Sequence, residues 1–343
     1  MYNLTEYSHS SGCGCKIAPD VLEKILQGKY GEVNDIRLLV GNSTKDDAAV
    51  YELDNGNALI STVDFFMPIV DDAFEFGQIA AANAISDVYA MGGKPLLATA
   101  ILGWPVSKLP AELAAQVIAG AKHKCSEAGI VLAGGHSVDT TEPLFGLSVN
   151  GIVSKEHLKK NSEAKPNDLI YLTKKIGNGI LATALKRKVI SDEHKKELLI
   201  ELKKLNEIGA VLGTKPYVSA LTDVTGFGLL GHLIEMMEGA NLSAEIDFSS
   251  LRLMNGVVEY ASKMIVPDNL YRNWNSYEKL AKLHSPESFF PLCDPQTNGG
   301  LLVTIDPKYK REFELLLKEN GLDEFAQPIG FTKPKESTCV EVK

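Results

Sequence analysis

An alanine-rich segment, residues 72–90, constrains the fold of this sequence more than any other stretch. It predicts a helix that Met91-Gly92-Gly93 ends, and its small side chains let a neighbouring element approach closely. Asn83 and Asp87 lie four residues apart, so they share one face of this helix. A carboxylate on a face otherwise packed with Ala and Ile is costly unless it is paired or binds a metal ion.

Strands and helices alternate on both sides of this helix. Residues 48–53 and 58–63 predict two strands of a hairpin, because the Asp54-Asn55-Gly56-Asn57 sequence between them is typical of a tight turn. The second half restarts with a strand over residues 168–173, after a charged stretch that contains Pro166. The sequence therefore predicts an α/β fold with mixed sheets.

The length of 343 residues favours two domains. We place an N-terminal domain at residues 17–155 and a C-terminal α/β domain at residues 156–343, because residues 155–167 form the most linker-like stretch. Residues 1–16 are polar and small and contain nothing that we expect to anchor to a core. We therefore predict that this segment is mobile.

Charge and composition exclude several classes of protein. Thirty-five Lys and Arg against 44 Asp and Glu give a net charge of −9, which disfavours nucleic acid and anionic membranes as partners. The longest uncharged apolar run, residues 96–104, is too short to span a membrane, and the N-terminus lacks the pattern of a signal peptide. Five cysteines, an odd number, favour a reducing, cytoplasmic setting. If the substrate is an anionic phosphate, carboxylates must hold it through metal ions.

The motif Gly12-Cys13-Gly14-Cys15-Lys16 is the first candidate for chemistry. A thiolate is a nucleophile, an adjacent cation favours it, and flanking glycines leave the sulfur open. Half of a metal site and inert surface thiols remain alternatives. A closed zinc site needs four ligands, and only His9 is close in sequence.

The second candidate is a set of acids beside turns or at the ends of strands. Asp46-Asp47 precedes one strand, Asp64 and Asp223 each close a strand, and Asp87 lies on the alanine-rich helix. Any one of them could be a helix cap or a turn residue. Together they favour a site for a hard divalent ion such as Mg²⁺, which prefers carboxylate and phosphate oxygens.

Glycine-rich stretches form the third candidate. Gly134-Gly135-His136-Ser137 follows a strand, so we expect a loop whose backbone N–H groups can bind an anion. Residues 226–231 match G-x-G-x-x-G, and Asp247 follows at a spacing typical of dinucleotide binding. Against that interpretation, Asp223 would repel a pyrophosphate beside it, and no run of parallel strands surrounds the motif.

These motifs together resemble those of selenophosphate synthetases, also called selenide, water dikinases. The resemblance extends from about residue 4 to the C-terminus. The wider superfamily of aminoimidazole-ribonucleotide-synthetase-like enzymes shares several of the motifs, but the Cys-Gly-Cys-Lys segment joined to the others is specific to the family. The motifs are Gly12-Cys13-Gly14-Cys15-Lys16, Thr44-Lys45-Asp46-Asp47-Ala48-Ala49-Val50, Ser61-Thr62-Val63-Asp64-Phe65-Phe66, Asn83-Ala84-Ile85-Ser86-Asp87, Met91-Gly92-Gly93-Lys94-Pro95, Gly134-Gly135-His136-Ser137, Thr222-Asp223-Val224-Thr225-Gly226-Phe227-Gly228 and Cys293-Asp294-Pro295-Gln296-Thr297.

The resemblance implies a two-domain fold, a homodimer, and a reaction of ATP, selenide and water that gives selenophosphate, AMP and phosphate with Mg²⁺. Selenophosphate would then serve as the selenium donor for selenocysteine and selenouridine tRNA. The dinucleotide interpretation of residues 226–231 becomes much weaker, because the glycines then form a tight turn beside a metal ligand. A mobile N-terminal segment would fold over the nucleotide.

The resemblance also implies roles for individual residues. Cys13 matches the catalytic position, which is selenocysteine in some members, and Lys16 matches the essential lysine that also contacts ATP. Arg is common in the family where this chain has Lys45. Lysine keeps the positive charge but cannot form the bidentate hydrogen bonds of a guanidinium group. The metal-binding acids are Asp47, Asp87 and Asp223, and the nucleotide contacts are Lys16, Thr44, Lys45, Asp46, Asp64, Asp87, Gly135, His136 and Ser137.

Two alternatives remain. A non-catalytic nucleotide or metal binder would not need the exposed thiols of the Cys-Gly-Cys-Lys segment. A related ATP-dependent enzyme, such as a thiamine-monophosphate-kinase-like protein, would share most of the acids. Formation of AMP rather than ADP distinguishes the dikinase from such a kinase.

Overall fold

The computed structural model describes residues 2–8, 11–12, 21, 25, 35–41 and 46–343, and these residues form two mixed β-sheets with helices packed against them. The predicted α/β class is confirmed. The strands are β1 Leu38–Val40, β2 Ala49–Glu52, β3 Asn57–Phe66, β4 Lys94–Trp104, β5 Val131–Asp139, β6 Leu144–Ser154, β7 Leu169–Leu172, β8 Val218–Asp223, β9 Leu242–Ile246, β10 Ala281–Leu283, β11 Leu301–Ile305, β12 Gly330–Pro334 and β13 Val340–Val342.

Helices connect these strands. They are α1 Ala73–Ala90, α2 Ala111–Glu127, α3 Asn178–Lys186, α4 Asp192–Lys203, α5 Ile208–Gly213, α6 Gly228–Gly239, α7 Val257–Ser262, α8 Asn269–Tyr277, α9 Phe289–Cys293 and α10 Lys310–Glu319. Across the described ranges, no helix is both long enough and apolar enough to cross a membrane.

The N-terminal sheet has the order β1-β2-β3-β6-β4-β5. The predicted hairpin is confirmed: β2 and β3 pair antiparallel with Glu52 opposite Ala58. Among its described strands only β4 and β5 run parallel, because the long helix α2 connects them as a crossover. Strand β5 ends this order, at the edge opposite β1.

One face of this sheet is covered by α1 and α2. The predicted alanine-rich helix is confirmed, with Asp72 as its N-cap accepting a hydrogen bond from the Glu75 N–H group at 2.8 Å. The two helices approach each other through small residues. A Cβ on Gly77 would lie 1.9 Å from the Val117 carbonyl oxygen. A Cβ on Gly120 would lie 1.9 Å from the Phe74 carbonyl oxygen of α1. This close packing leaves α1 almost entirely buried.

The C-terminal sheet has the order β10-β13-β9-β12-β7-β11-β8. Its terminal strand β8 pairs antiparallel with β11 and leads through the glycine-rich turn into α6. Strand β9, which follows α6, pairs with β12 and β13 and is separated from β8 by several strands. The G-x-G-x-x-G sequence thus does not lie in the parallel β-α-β unit that a dinucleotide-binding motif requires.

The stretch predicted as a linker is anchored to both sheets. The Lys159 ammonium donates to the carbonyls of Lys215 and Val218, and the Asn161 N–H group donates to Asp46 at 2.8 Å. Both residues are buried. Tertiary contacts therefore hold residues 155–167 in place. The charge and proline content of this stretch do not reveal such contacts.

The N-terminal segment also differs from the expectation that nothing in it anchors to a core. Leu4 is fully buried, Thr5 donates to Asp71 from its hydroxyl at 2.5 Å, and Gly12 forms a β-bridge with Met67. A single leucine among polar residues has no periodic neighbours, so the sequence pattern did not indicate this anchor.

Candidate functional site

Three predicted metal ligands come from different parts of the fold. Asp47 lies two residues before β2, Asp87 lies near the end of α1, and Asp223 is the last residue of β8 in the other sheet. The charges of Asp223 and Asp87 both act on Asp47. The site therefore lies where the two sheets meet.

Asp47 has the most unusual environment of the three. Thr222 Oγ1 donates to its Oδ1 at 2.8 Å, whereas its enclosed Oδ2 has no hydrogen-bond partner among the residues that the structure describes. Burial, and then the charges of Asp223 and Asp87, raise the pKa of Asp47 well above its usual value. A buried carboxylate oxygen without a donor fits a position that a cation can fill.

Asp87 and Asp64 lie on facing elements, the helix α1 and the strand β3. Thr62 Oγ1 donates to Asp87 Oδ2 at 2.5 Å, and the Asn83 side-chain amide donates to Asp64 Oδ2. The predicted shared face of Asn83 and Asp87 is thus the face that packs on β3. These hydrogen bonds fix the orientation of both carboxylates.

Asp223 is almost completely buried. Ser86 Oγ donates to its Oδ2, and the Asn206 side-chain amide donates to Ser86 Oγ at 2.8 Å. The same amide donates to the Gly299 carbonyl at 2.9 Å. A chain of hydrogen bonds therefore connects helix α1 of the first sheet with β8 of the second.

A buried segment, residues 296–300, supports the site from the C-terminal side. The Asn298 N–H group donates to Asn83 Oδ1 at 2.6 Å, and the Lys174 ammonium donates to the Asn298 carbonyl at 2.9 Å and to the Lys204 carbonyl at 2.7 Å. Burial lowers the pKa of Lys174 to about 7. Lys174 thereby fixes the backbone that orients Asn83 and, through Asn83, Asp64.

The predicted anion loop at Gly134–Ser137 is wrong as a loop, because these residues lie inside strand β5. Register pairs Asp64 with Leu147, Leu147 with Ala100, and Ala100 with Gly135. Three strand spacings separate Gly135 from Asp64, or about 14 Å. Within a single copy of the chain, Gly135, His136 and Ser137 therefore lie far from Asp64.

The remaining predicted residues divide into two groups. Asp46 accepts the backbone bond from Asn161 and so lies at the junction of the sheets. Four predicted residues lie outside the described residues: Cys13, Lys16, Thr44 and Lys45.

No group of three or more His, Cys, Asp or Glu side chains within the described ranges is arranged to hold a metal ion by itself. Asp47, Asp87 and Asp223 are close enough for their charges to interact but do not enclose one common point. Such an arrangement suits an ion that takes part of its ligands from a bound phosphate and from water.

Sequence reasoning assigned no role to the groups that orient these acids. They are the hydroxyls of Thr62, Ser86 and Thr222 and the side chains of Lys174, Asn206 and Asn298. Thr62, Ser86 and Thr222 each lie within two residues of a predicted acid, and that proximity was the only available signal. Lys174, Asn206 and Asn298 come from distant parts of the chain, and only the tertiary fold brings them to the site.

Two family models match this chain. Residues 45–153 match the AIR synthase related protein, N-terminal domain, and residues 165–343 match the C-terminal domain of the same family. Solved structures share the fold at low identity. AaThiL complexed with AMPPCP and TMP has a TM-score of 0.68 at 20% identity, covering 94% of this chain and 91% of that one. HypE in complex with ATP has a TM-score of 0.62 at 17% identity, covering 88% and 82%. The fold and the acids at the sheet junction thus define an AIR synthase related protein.

Curated relatives narrow the class further. Selenide, water dikinase of Colwellia psychrerythraea is 52% identical over 95% of this chain and 94% of its own length. The protein of the same name from Photobacterium profundum is 53% identical over 99% of this chain and 98% of its own length. The chain belongs to the selenide, water dikinase family.

Proposed function

We infer that this chain is an ATP-using selenide, water dikinase that makes selenophosphate from selenide and releases AMP and phosphate. The observation that carries this conclusion is identity of about 52% to curated selenide, water dikinases over nearly the whole chain. The acids at the sheet junction agree with it, because a protein of net charge −9 can hold a polyphosphate beside carboxylates only through cations.

Asp47, Asp87 and Asp223 are the residues that we propose as Mg²⁺ ligands. The enclosed Oδ2 of Asp47, which lacks a partner among the described residues, supports the assignment. Bound there, Mg²⁺ would neutralise charge on the transferring phosphoryl groups. The hydroxyls of Thr62 and Thr222 keep the carboxylates of Asp87 and Asp47 in fixed orientations, which limits reorganisation when charge moves.

We propose the remaining roles from the family motifs. Cys13 is the nucleophile and Lys16 carries positive charge to the transferring phosphate. The proposed nucleotide contacts are Lys16, Thr44, Lys45, Asp46, Asp64, Asp87, Gly135, His136 and Ser137. Asp64 has support from the structure because Asn83 orients its carboxylate.

We propose that two copies form a homodimer through the N-terminal sheet. The face opposite α1 and α2 exposes large apolar side chains from several strands, namely Val63, Phe65, Leu97, Val131 and Val138. An apolar patch of this kind is typical of an interface. The strand register aligns His136 with Phe65 across the sheet, so His136 lies on this same face. In a dimer formed through this face, residues 135–137 of one copy could contact a nucleotide bound to the other copy.

We further propose a domain division at residues 155–156, with residues 1–16 as a catalytic segment. The charged stretch 155–167 between β6 and β7 supports this boundary. We assign the reaction to the cytoplasm, because Cys125, Cys293 and Cys339 are free thiols and a reactive Cys13 requires a reducing compartment.

Phosphorus NMR of the full chain with Mg-ATP, with and without selenide, tests the function. We expect AMP, phosphate and selenophosphate only when selenide is present. Cys13→Ser should remove selenophosphate while its Mg-ATP affinity stays close to wild type, because a serine hydroxyl is barely ionised near neutral pH. Cys15→Ser is the matched control and should be milder. Formation of ADP without AMP, independent of selenide, would overturn the proposal in favour of a simple kinase.

A further inference from the structure

A cavity of about 450 Å³ lies between the N-terminal segment and the helices of the C-terminal sheet. Its described walls include Ser11 and Ile69 on one side and residues of α3 and α8 on the other. None of the acids assigned above to the metal or the nucleotide is among its described lining residues.

The walls of this cavity are cationic although the chain is acidic. Lys186, Arg187 and Arg272 line it, against a single described carboxylate, that of Asp268. Lys186 and Arg187 are held by backbone carbonyls, with the Lys186 ammonium donating to Ser8 at 2.9 Å and Arg187 to Met264 at 3.3 Å. Burial lowers the pKa of Lys186, and the charge of Glu142 opposes that shift. The described lining therefore carries a net positive charge, which favours an anionic occupant.

A second carboxylate lies just behind the wall but opposes an anion only weakly. Asp294 is completely buried beneath Gly179, and burial raises its pKa to about 8. At neutral pH this carboxyl is therefore mostly protonated and uncharged.

Two lining residues of the cavity lie close to Gly12, the one residue of the proposed catalytic motif that the structure describes. Gly12, which precedes Cys13 in the chain, is fixed by its N–H group to the Met67 carbonyl at 3.1 Å. A Cβ on Gly12 would lie 2.5 Å from Thr297 Oγ1 and 2.7 Å from Ile69 Cδ1, and both of these residues line the cavity. Asn298 follows Thr297 in the chain, and its N–H group donates a hydrogen bond to Asn83, the residue that orients Asp64. The described lining of the cavity is thus linked through Asn298 to Asn83 and Asp64.

We propose that this cavity is the subsite of the selenium-bearing anion, the non-nucleotide partner in the reaction, which Arg187 and Arg272 attract. The proposal rests on the proposed function. Selenide and selenophosphate share the required chemistry, because both are small anions at neutral pH and both fit the space. The apolar wall of Ile69 and Val266 suits the polarisable selenium better than a fully hydrated ion.

The test uses the full chain with Arg187→Gln/Arg272→Gln, and Arg272→Gln alone in case the double variant folds poorly. Lys263→Gln is the matched control, because it removes an exposed cation from the nearby helix α7 end without touching the cavity lining. The measured quantities are the KM for selenide, the Kd of thiophosphate as a stable probe of the product, and the Kd of Mg-ATP. Thermal unfolding confirms that each variant is folded.

We expect the arginine variants to raise the selenide KM or the thiophosphate Kd at least tenfold, with the Mg-ATP Kd changed less than twofold. A change in the selenide KM alone assigns the subsite to the substrate, and a change in thiophosphate binding alone assigns it to the product. Unchanged values for both anions, or an equal loss of Mg-ATP binding, would overturn the proposal. Thiophosphate binding needs no turnover, so it separates failure of the subsite from failure of the proposed reaction.

Discussion

Lys174 shows how a single residue can control the site without touching a substrate. It is buried, its ammonium donates to the carbonyls of Asn298 and Lys204, and burial lowers its pKa to about 7. Asn298 in turn orients Asn83, which holds Asp64. The acids and Asn83 could be identified from their residue types and spacing in the sequence. Lys174 was not among them, because one of two adjacent lysines after a strand is usually a surface residue.

The lowered pKa predicts a pH-dependent stability. The unfolded chain binds a proton at Lys174 up to its ordinary pKa, whereas the folded chain releases it near 7, so the contribution of this residue to the free energy of unfolding rises with pH between about 7 and 10. Lys174→Met should remove this rise, which is at most about 1.4 kcal/mol per pH unit. Urea unfolding at pH 7.5 and 9.5 measures it, with the exposed Lys263→Met as control. Parallel pH profiles of wild type and Lys174→Met would contradict the account.

At the scale of elements, short-range patterns were reliable where local geometry decides the structure. The turn residues 54–57 predicted the hairpin of β2 and β3, and the alanine content predicted α1. The prediction failed at residues 134–137, where a glycine-rich run indicates a loop but pairing with β4 keeps the chain extended. Tertiary pairing overrides local preference in such stretches.

The close approach of α1 and α2 gives a prediction for packing. Gly120→Ala improves intrinsic helix propensity by about 1 kcal/mol. The new methyl carbon, however, would lie 1.9 Å from the Phe74 carbonyl oxygen, which is backbone and cannot rotate away. We expect a net loss of about 1–3 kcal/mol in the free energy of unfolding, measured by urea denaturation. Ala119→Leu, at the exposed neighbouring position, should change stability by less than about 0.5 kcal/mol. A stabilised Gly120→Ala variant would show that the helices separate easily.

For the whole molecule, the sequence predicted two α/β halves but not how they meet. The site depends on contacts across long sequence separations, such as Ser86 with Asp223 and Thr222 with Asp47. No local pattern reports such pairs. The distance of about 14 Å between Gly135 and Asp64 likewise emerged only from the register of four strands.

The proposed homodimer gives a prediction at this scale. Phe65 is 48% exposed on the apolar face of the N-terminal sheet, so Phe65→Asp should bury a charge in the interface and shift the protein to monomers. Sedimentation velocity at micromolar concentration measures the shift. Ile200→Asp, on an exposed position of α4, is the control and should leave the oligomeric state unchanged. A wild-type chain that sediments as a monomer would contradict the homodimer.

If the acids at the sheet junction bind ATP through divalent cations, the affinity for ATP must depend on both the cation and the carboxylates. Calorimetric titration of ATP into wild type and Asp223→Asn tests this dependence most directly. The titrations are done with Mg²⁺ and with EDTA, and the exposed Asp54→Asn serves as control. With Mg²⁺ we expect Asp223→Asn to bind ATP at least tenfold more weakly than wild type. With EDTA it should bind no more weakly than wild type, because the carboxylate then only repels the polyphosphate. An equal loss of affinity with and without Mg²⁺ would contradict the account.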